Sequence, residues 1–332
     1  MTVANLRAGL IGLGMMGRHH ARVLSSLDGV DLVGVADAAG DVHGVAGGRT
    51  LVGSIEELIA IGLDYCVVAL PTIYHEATAL ALADAGIHTL IEKPVTHDTA
   101  SARRVADAFA AKGLVGGVGH IERYNPALQS ARARIEAGEL GTVYQVVTRR
   151  QGPFPARIAD VGVVKDLATH DIDLTAWVAQ QPFVAVSART AFRSGREYED
   201  LVAATGQLAD GTVTNHLVNW LSPLKERVTI ITGDKGTFVA DTLTADLTYF
   251  ANGSVKVTRD AIAQFRGVSE GDMVRFALAK PEPLRVEHEA FRDAVLGKSS
   301  KTVTLAEGMA TLAVAEAMIE SAKSGRTVET VV

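Results

Sequence analysis

The sequence predicts an α/β protein of two domains: a doubly wound parallel sheet over residues 1–122, then an α/β unit with a mainly antiparallel sheet over 123–332. Three observations carry this. Short apolar runs alternate with helical patterns through the first third, the signature of parallel strands joined by crossover helices. A glycine-rich turn follows the first run directly. After Pro126 the rhythm changes to strand-like stretches separated by Asp-Gly and Asn-Gly turns.

The first-domain strands are read at Ala8–Ile11, Leu32–Ala36, Tyr65–Leu70, Ile87–Ile91 and Leu114–Val118. Between the last two, residues 97–112 place Ala102, Val105, Ala106 and Phe109 on one helical face and stop at Lys112-Gly113. That face packs the helix on the sheet. In the second domain a helix runs from Pro126 to about Glu136 and ends at Gly138. Strands follow at 142–149, 184–191, 212–219 and 227–232, with Asp210-Gly211 and Asn252-Gly253 suited to hairpins. Helices near 287–296 and 304–324 close the chain, the second opening on a capping box of Thr304 and Glu307. The last helices are allowed to pack back on the first domain.

Composition narrows the partners. With 332 residues the chain exceeds one ordinary core, and 48% hydrophobic content can bury two. Thirty-two basic against 38 acidic residues give −6, with no basic stripe for a phosphate backbone. Nucleic acid is not expected as a partner. No segment approaches the ~20 apolar residues of a membrane span, so no membrane partner is expected and the chain is read as cytoplasmic. Cys66, the single cysteine, lies in an apolar run and reads as a buried structural thiol.

Gly12, Gly14 and Gly17 spell G-x-G-x-x-G directly after the first strand, and Asp37 ends the second. The first glycine permits the turn, the second lets the backbone approach a pyrophosphate, and the third lets helix and strand pack closely. Amides near Met15 and Met16 then meet phosphate at a helix N-terminus. Asp37 would accept hydrogen bonds from the adenosine ribose and repel a 2′-phosphate, while Ala38 and Ala39 offer no cation for one. The expected cofactor is NAD rather than NADP. Glu92-Lys93-Pro94 ends the fourth strand, where Pro94 turns the chain out of the sheet at its carboxyl edge, the ligand side of such sheets. Asp166 and His170, four apart in a helix, share a face with Asp173 near it, and a carboxylate with an imidazole can manage a proton. His19 and His20 are adjacent, about 100° apart on a helix, and are not read as a metal site.

The glycine motif, Pro71 to His75, Glu92-Lys93-Pro94 and Asp166-Leu-Ala-Thr-His170-Asp171 together resemble the glucose-fructose oxidoreductase / inositol dehydrogenase / MocA family over essentially the whole chain. The resemblance implies an N-terminal Rossmann domain followed by an α/β domain whose open sheet floors the active site and forms homodimer or homotetramer contacts. It implies hydride transfer between a secondary alcohol and nicotinamide, without a metal. His170 would take the hydroxyl proton, Lys93 would orient the oxygen, and Asp166 would bind a neighbouring hydroxyl and fix the imidazole. Thr72, His75 and Glu92 would lie beside the cofactor. The stretches 119–126 and 150–157 resemble the branch similar to UDP-N-acetylglucosamine 3-dehydrogenases, so Tyr124, Asn125, Arg149, Arg150 and Arg157 are candidates for the substrate. Arg149 and Arg150 would point to opposite faces of a strand. Alternatives remain open: a dehydrogenase of inositols, free sugars or sugar phosphates, and a non-catalytic regulator that senses sugar or cofactor.

Overall fold

A computed structural model describes residues 4–155, 161–253, 255–256, 269–298 and 301–330. The chain divides into two units, residues 1–121 with 282–313, and 122–281 with 314–332. The segment 282–313, which the sequence boundaries place after the first domain, belongs to the first unit.

In the first unit, six parallel strands lie in the order β3-β2-β1-β4-β5-β6. They are β1 (Leu6–Ile11), β2 (Val30–Ala36), β3 (Thr50–Val52), β4 (Tyr65–Val68), β5 (His88–Glu92) and β6 (Gly116–Gly119). The order reverses beside β1, the point at which open parallel sheets bind ligands, outside the carboxyl ends of the strands. One core holds Leu10, Leu24, Val35, Tyr65 and Phe291, drawing on α1 (Met15–Leu24) and α7 (Pro283–Val295). The other holds Val68, Leu82, Ile91, Val105 and Phe109, drawing on α3 (His75–Asp84) and α4 (Thr99–Ala111). The short α2 (Ile55–Ala60) adds Leu58 to that second core. In α4 the predicted face is the buried one, and Asp98 caps the helix by accepting from Ser101 N at 2.7 Å.

In the second unit nine strands form one mixed sheet in the order β16-β13-β12-β11-β7-β10-β9-β8-β17. These are β7 (Val143–Pro153), β8 (Phe183–Ala191), β9 (Leu201–Leu208), β10 (Val213–Asn219), β11 (Leu221–Gly233), β12 (Gly236–Asp241), β13 (Asp246–Ala251), β16 (Met273–Arg275) and β17 (Val328–Glu329). β14 (Val255–Lys256) and β15 (Ser269–Glu270) pair separately. Only the central β7 and β10 run parallel; the other pairs are antiparallel. Helices α5 (Pro126–Glu136) and α6 (Thr169–Ala179) contribute Leu128 and Leu174 to a core with Ile231 and Phe238. Along β10, Thr214, His216 and Val218 are buried while Val213 and Leu217 are exposed, the alternation of a sheet covered on one face.

The last helix, α8 (Leu305–Ser324), contains the division between the units. Leu312 belongs to the first unit's core, and Val314 and Met318 to the second's. Its capping box forms as expected: Thr304 Oγ1 accepts from Glu307 N, and Glu307 Oε2 accepts from Thr304 N. The Asp210-Gly211 turn joins β9 to β10. Asn252-Gly253 does not make the expected hairpin, because β13 pairs with β12 and β16. Asn252 instead braces the turn between β11 and β12, its side chain donating to Asp234 O and its amide to Lys235 O. No helix among the described residues is long and apolar enough to cross a membrane.

Candidate active site

In the first unit each glycine of the motif meets a different physical demand. Gly12 has φ +92°, and a Cβ there would press on the Ala69–Leu70 peptide at the end of β4. A Cβ at Gly17 would overlap the Gly12 carbonyl, so α1 packs on β1 only with glycine here. At Gly14 a Cβ would meet nothing within 4 Å. The chain does not need glycine there for its own packing, and open space beside a backbone is what a closely approaching ligand requires. Gly14 is also the N-cap of α1, without a side-chain cap or an acidic residue in the first turn, so the first amides remain free for an anion.

Asp37 follows β2 and ties the edge together. Its Oδ2 accepts from Leu13 N and its Oδ1 from Ala39 N, both at 2.8 Å. The carboxylate therefore stands beside the glycine loop, as a ribose acceptor must. His75 opens α3 fully buried, with Nε2 2.8 Å from Leu70 O and Nδ1 3.0 Å from Pro94 O. It clamps the loop after β4 to the loop after β5. Burial holds its imidazole below the ordinary value although both carbonyls favour the charged form. Thr72 is buried in the turn before it. These residues fit a dinucleotide at the switch point of the sheet.

Glu92 is the last residue of β5, and Lys93 stands half-buried after it, joined to Pro94 by a cis peptide. The Glu92 carboxyl accepts from Lys93 N at 3.1 Å and from His20 Nε2 at 2.9 Å. Burial alone would raise this carboxyl, but the hydrogen bond and charge of His20, with the charge and amide of Lys93, hold it below the usual carboxylate range.

In the second unit Asp166 is buried within a π-helical turn, Val164–Ala168, that leads into α6, where His170 is half-buried. A π turn widens the helix locally and recurs at functional sites. Glu199 fixes the start of this turn, its carboxylate accepting from Val164 N and its carbonyl from Val163 N. A Cβ at Gly162 would overlap that carboxylate, so glycine makes room for it.

Two family descriptions match the chain: an oxidoreductase family's NAD-binding Rossmann fold over residues 6–120, and the C-terminal alpha/beta domain of the same Gfo/Idh/MocA family over 132–330. The chain belongs to the Gfo/Idh/MocA oxidoreductase family. Its first unit is thus an NAD-binding domain. Among relatives, a UDP-N-acetylglucosamine 3-dehydrogenase of Acidithiobacillus ferrooxidans is 34% identical over 215 residues, 64% of this chain and 66% of that protein. Inositol 2-dehydrogenase 4 of Saccharopolyspora erythraea is 32% identical over 57% of this chain and 58% of its own. The sequence matches therefore span 66% and 58% of these relatives' own lengths, less than two thirds in each. Structural likeness extends further: the A. ferrooxidans UDP-N-acetylglucosamine 3-dehydrogenase GnnA superposes with TM-score 0.83 at 26% identity, covering 97% of this chain and 99% of that one. GenD2 from gentamicin A biosynthesis, in complex with NAD, gives 0.82 at 27% identity over 100% and 98%.

Within this Gfo/Idh/MocA chain, several residues singled out for the substrate have internal partners. Arg150 is buried between two carboxylates, with Nε 2.6 Å from Asp171 and Nη1 2.8 Å from Glu122. Arg149 points to the other face of β7, exposed, and pairs with Glu226 at 2.6 Å. Asn125 caps α5 by accepting from Ala127 N and donates to Thr242 O. Tyr124 is buried, and Arg157 lies outside the described residues. Asp173 makes a bidentate pair with Arg123 at 2.7 and 2.8 Å. Sequence reading missed Glu122, Asp171 and Arg123 as a buried charge network, because its partners come from segments 21 to 50 residues apart. It also missed His288, whose partner His20 lies 268 positions away.

Proposed function

We propose that this protein is an NAD-dependent dehydrogenase that oxidises a ring secondary hydroxyl of a sugar, or reduces the corresponding ketone, with a nucleotide sugar such as UDP-N-acetylglucosamine, oxidised at C3, as substrate. NAD bound at the glycine loop supplies the hydride acceptor. Gly14 and the free amides of α1 hold its pyrophosphate, and Asp37 takes the ribose hydroxyls. His170 takes the hydroxyl proton, and NAD, when bound, would accept the carbinol hydrogen as hydride. Lys93 orients the reacting oxygen and stabilises its developing negative charge, while Asp166 binds a neighbouring hydroxyl and fixes the imidazole.

The observation that carries this reading is the conjunction, in one chain, of an open glycine loop, a lysine at the carboxyl edge of its sheet, and a helix start with a buried Asp166 and a half-buried His170. Likeness to a UDP-N-acetylglucosamine 3-dehydrogenase supports the nucleotide-sugar choice. A second reading, an inositol dehydrogenase, is supported by the 32% identity to an inositol 2-dehydrogenase. The proposal keeps Tyr124, Asn125, Arg149, Arg150 and Arg157 as the residues to test for specificity, of which Arg150 and Asn125 also bond partners inside the unit. Homo-oligomerisation through the exposed face of the second sheet belongs to the same proposal. Lys93→Ala is expected to abolish turnover and spare NAD binding. Near-normal turnover in that variant would remove Lys93 from the mechanism.

A further inference from the structure

Three buried groups of the first unit are joined in a line that ends at Lys93. His20 on α1 is fully buried, with Nε2 2.9 Å from Glu92 Oε1 and Nδ1 2.8 Å from Nε2 of His288 on α7. Glu92 Oε2 takes the Lys93 amide at 3.1 Å. The room for this arrangement is built in: a Cβ at Gly119, on the neighbouring β6, would stand 3.3 Å from the Glu92 carboxyl.

Proton counting gives the line a direction. A carboxylate only accepts, so His20 donates to it from a protonated Nε2 in either charge state. When His20 is neutral its Nδ1 is an acceptor, and His288 donates to it from its own Nε2. Burial, reinforced by the charge His20 can carry, holds His288 well below the ordinary histidine value and keeps it neutral. Facing Glu92 are His20 from α1, His75 from α3 and Lys93 beside it; His288 from α7 faces His20.

We propose that His20 and His288 are positioning residues for the reaction: with Glu92 they form a directed hydrogen-bond chain that fixes the Glu92 carboxylate and, through its bond to the Lys93 amide, the lysine at the sheet's edge. This rests on the catalytic reading of Lys93. Neither histidine touches substrate. Their effect is on turnover, because an ionised, doubly bonded Glu92 holds the 92–93 peptide in one orientation, whereas a protonated one would release it.

The test combines kinetics with a substrate-free readout. Wild type, His20→Leu, His20→Gln, His288→Leu and Lys93→Ala are assayed for NADH formation with UDP-N-acetylglucosamine and with myo-inositol, and for NADH affinity by fluorescence. His20→Leu is expected to lose roughly 10- to 100-fold in kcat, as outer partners of active-site groups do, with NADH affinity changed less than about threefold. His20→Gln, whose amide N–H can still donate to Glu92, should recover most of that loss. Imidazole 15N spectra of the unliganded wild type should show His20 as a single Nε2–H tautomer, with its Nδ1 signal displaced in His288→Leu. NADH affinity falling in step with kcat, no rescue by glutamine, or a mixture of His20 tautomers would each overturn the proposal. The spectra decide the matter if neither sugar is oxidised or if the leucine variant does not fold. Lys93→Ala with wild-type turnover refutes the lysine reading alone, whereas an inactive Lys93→Ala beside a normal His20→Leu refutes the chain alone.

Discussion

Replacing Arg150 with methionine should be among the most damaging single changes in the second unit. The guanidinium is 2% exposed and bonds Asp171 and Glu122 at 2.6 and 2.8 Å. Burial disfavours its charge, but the two carboxylates more than offset this and raise its pKa. Burial likewise works against the Glu122 carboxylate, and the charges of Arg150 and Arg227 keep its pKa below the usual value. Removing the cation leaves two buried carboxylates without it, a loss of about 3–5 kcal/mol. At a urea m-value of about 2 kcal/mol per M this moves the unfolding midpoint of the unit down by about 2 M. The triple variant Arg150→Met, Glu122→Gln, Asp171→Asn should regain part of that stability, because neither carboxylate is then left charged without Arg150, while Arg227 loses two of the charges that face it. The pH dependence has a definite sign. Glu122 has a depressed folded-state pKa, so in the wild type its contribution is present above the unfolded value of 4.5 and is lost as pH falls through the lower folded value. In Arg150→Met the Glu122 carboxyl loses the strongest of the effects that lower it, so its pKa should move up and the gap from wild type should narrow on acidification. Urea titrations followed by tryptophan fluorescence at pH 7 and pH 5 measure both effects. A loss below about 1 kcal/mol at pH 7, typical of an exposed pair, would refute the reasoning.

Gly14→Ala should leave unfolding stability within about 0.5 kcal/mol while weakening NAD binding, since its Cβ meets nothing in the protein; calorimetry with NAD separates the two. Gly17→Ala should lower both, because its Cβ overlaps the Gly12 carbonyl. His216, buried against Thr148 at 2.8 Å, is pushed down to about 4 by burial. Stability from its neutral form is complete above pH 6.5 and is lost as pH falls toward 4, up to about 3 kcal/mol. His216→Gln should flatten that part of the stability-pH curve. Thr304→Ala removes one half of a capping box and should cost about 1 kcal/mol of first-unit stability by thermal unfolding.

What the sequence made legible follows locality. The glycine loop, Asp37, the buried face of α4 and the Thr304–Glu307 cap are decided within a few residues, and each appears where the pattern places it. β3 escaped notice because it is three residues on a sheet edge, and β9, reading LVAATGQL, has only one β-branched apolar residue. β12 alternates in burial, but with glycine and alanine on its inner face and Val239 on its outer face the sequence hides the period, and β13 buries only Leu247. The π turn around Asp166 has no sequence period of its own, and its support by Glu199 comes from 35 residues away. Arginines 149 and 150 show the limit most clearly. Their opposite faces could be read from strand alternation, but the carboxylates that claim Arg150 come from a separate turn and helix.

The central claim, an NAD-dependent sugar dehydrogenase, is tested most directly by following NADH formation at 340 nm with UDP-N-acetylglucosamine, myo-inositol and glucose 6-phosphate side by side. The account predicts turnover of UDP-N-acetylglucosamine that Lys93→Ala and His170→Ala each abolish. Activity on myo-inositol alone would overturn the nucleotide-sugar assignment, and reduction of NAD by none of the three would contradict the dehydrogenase reading for these sugars.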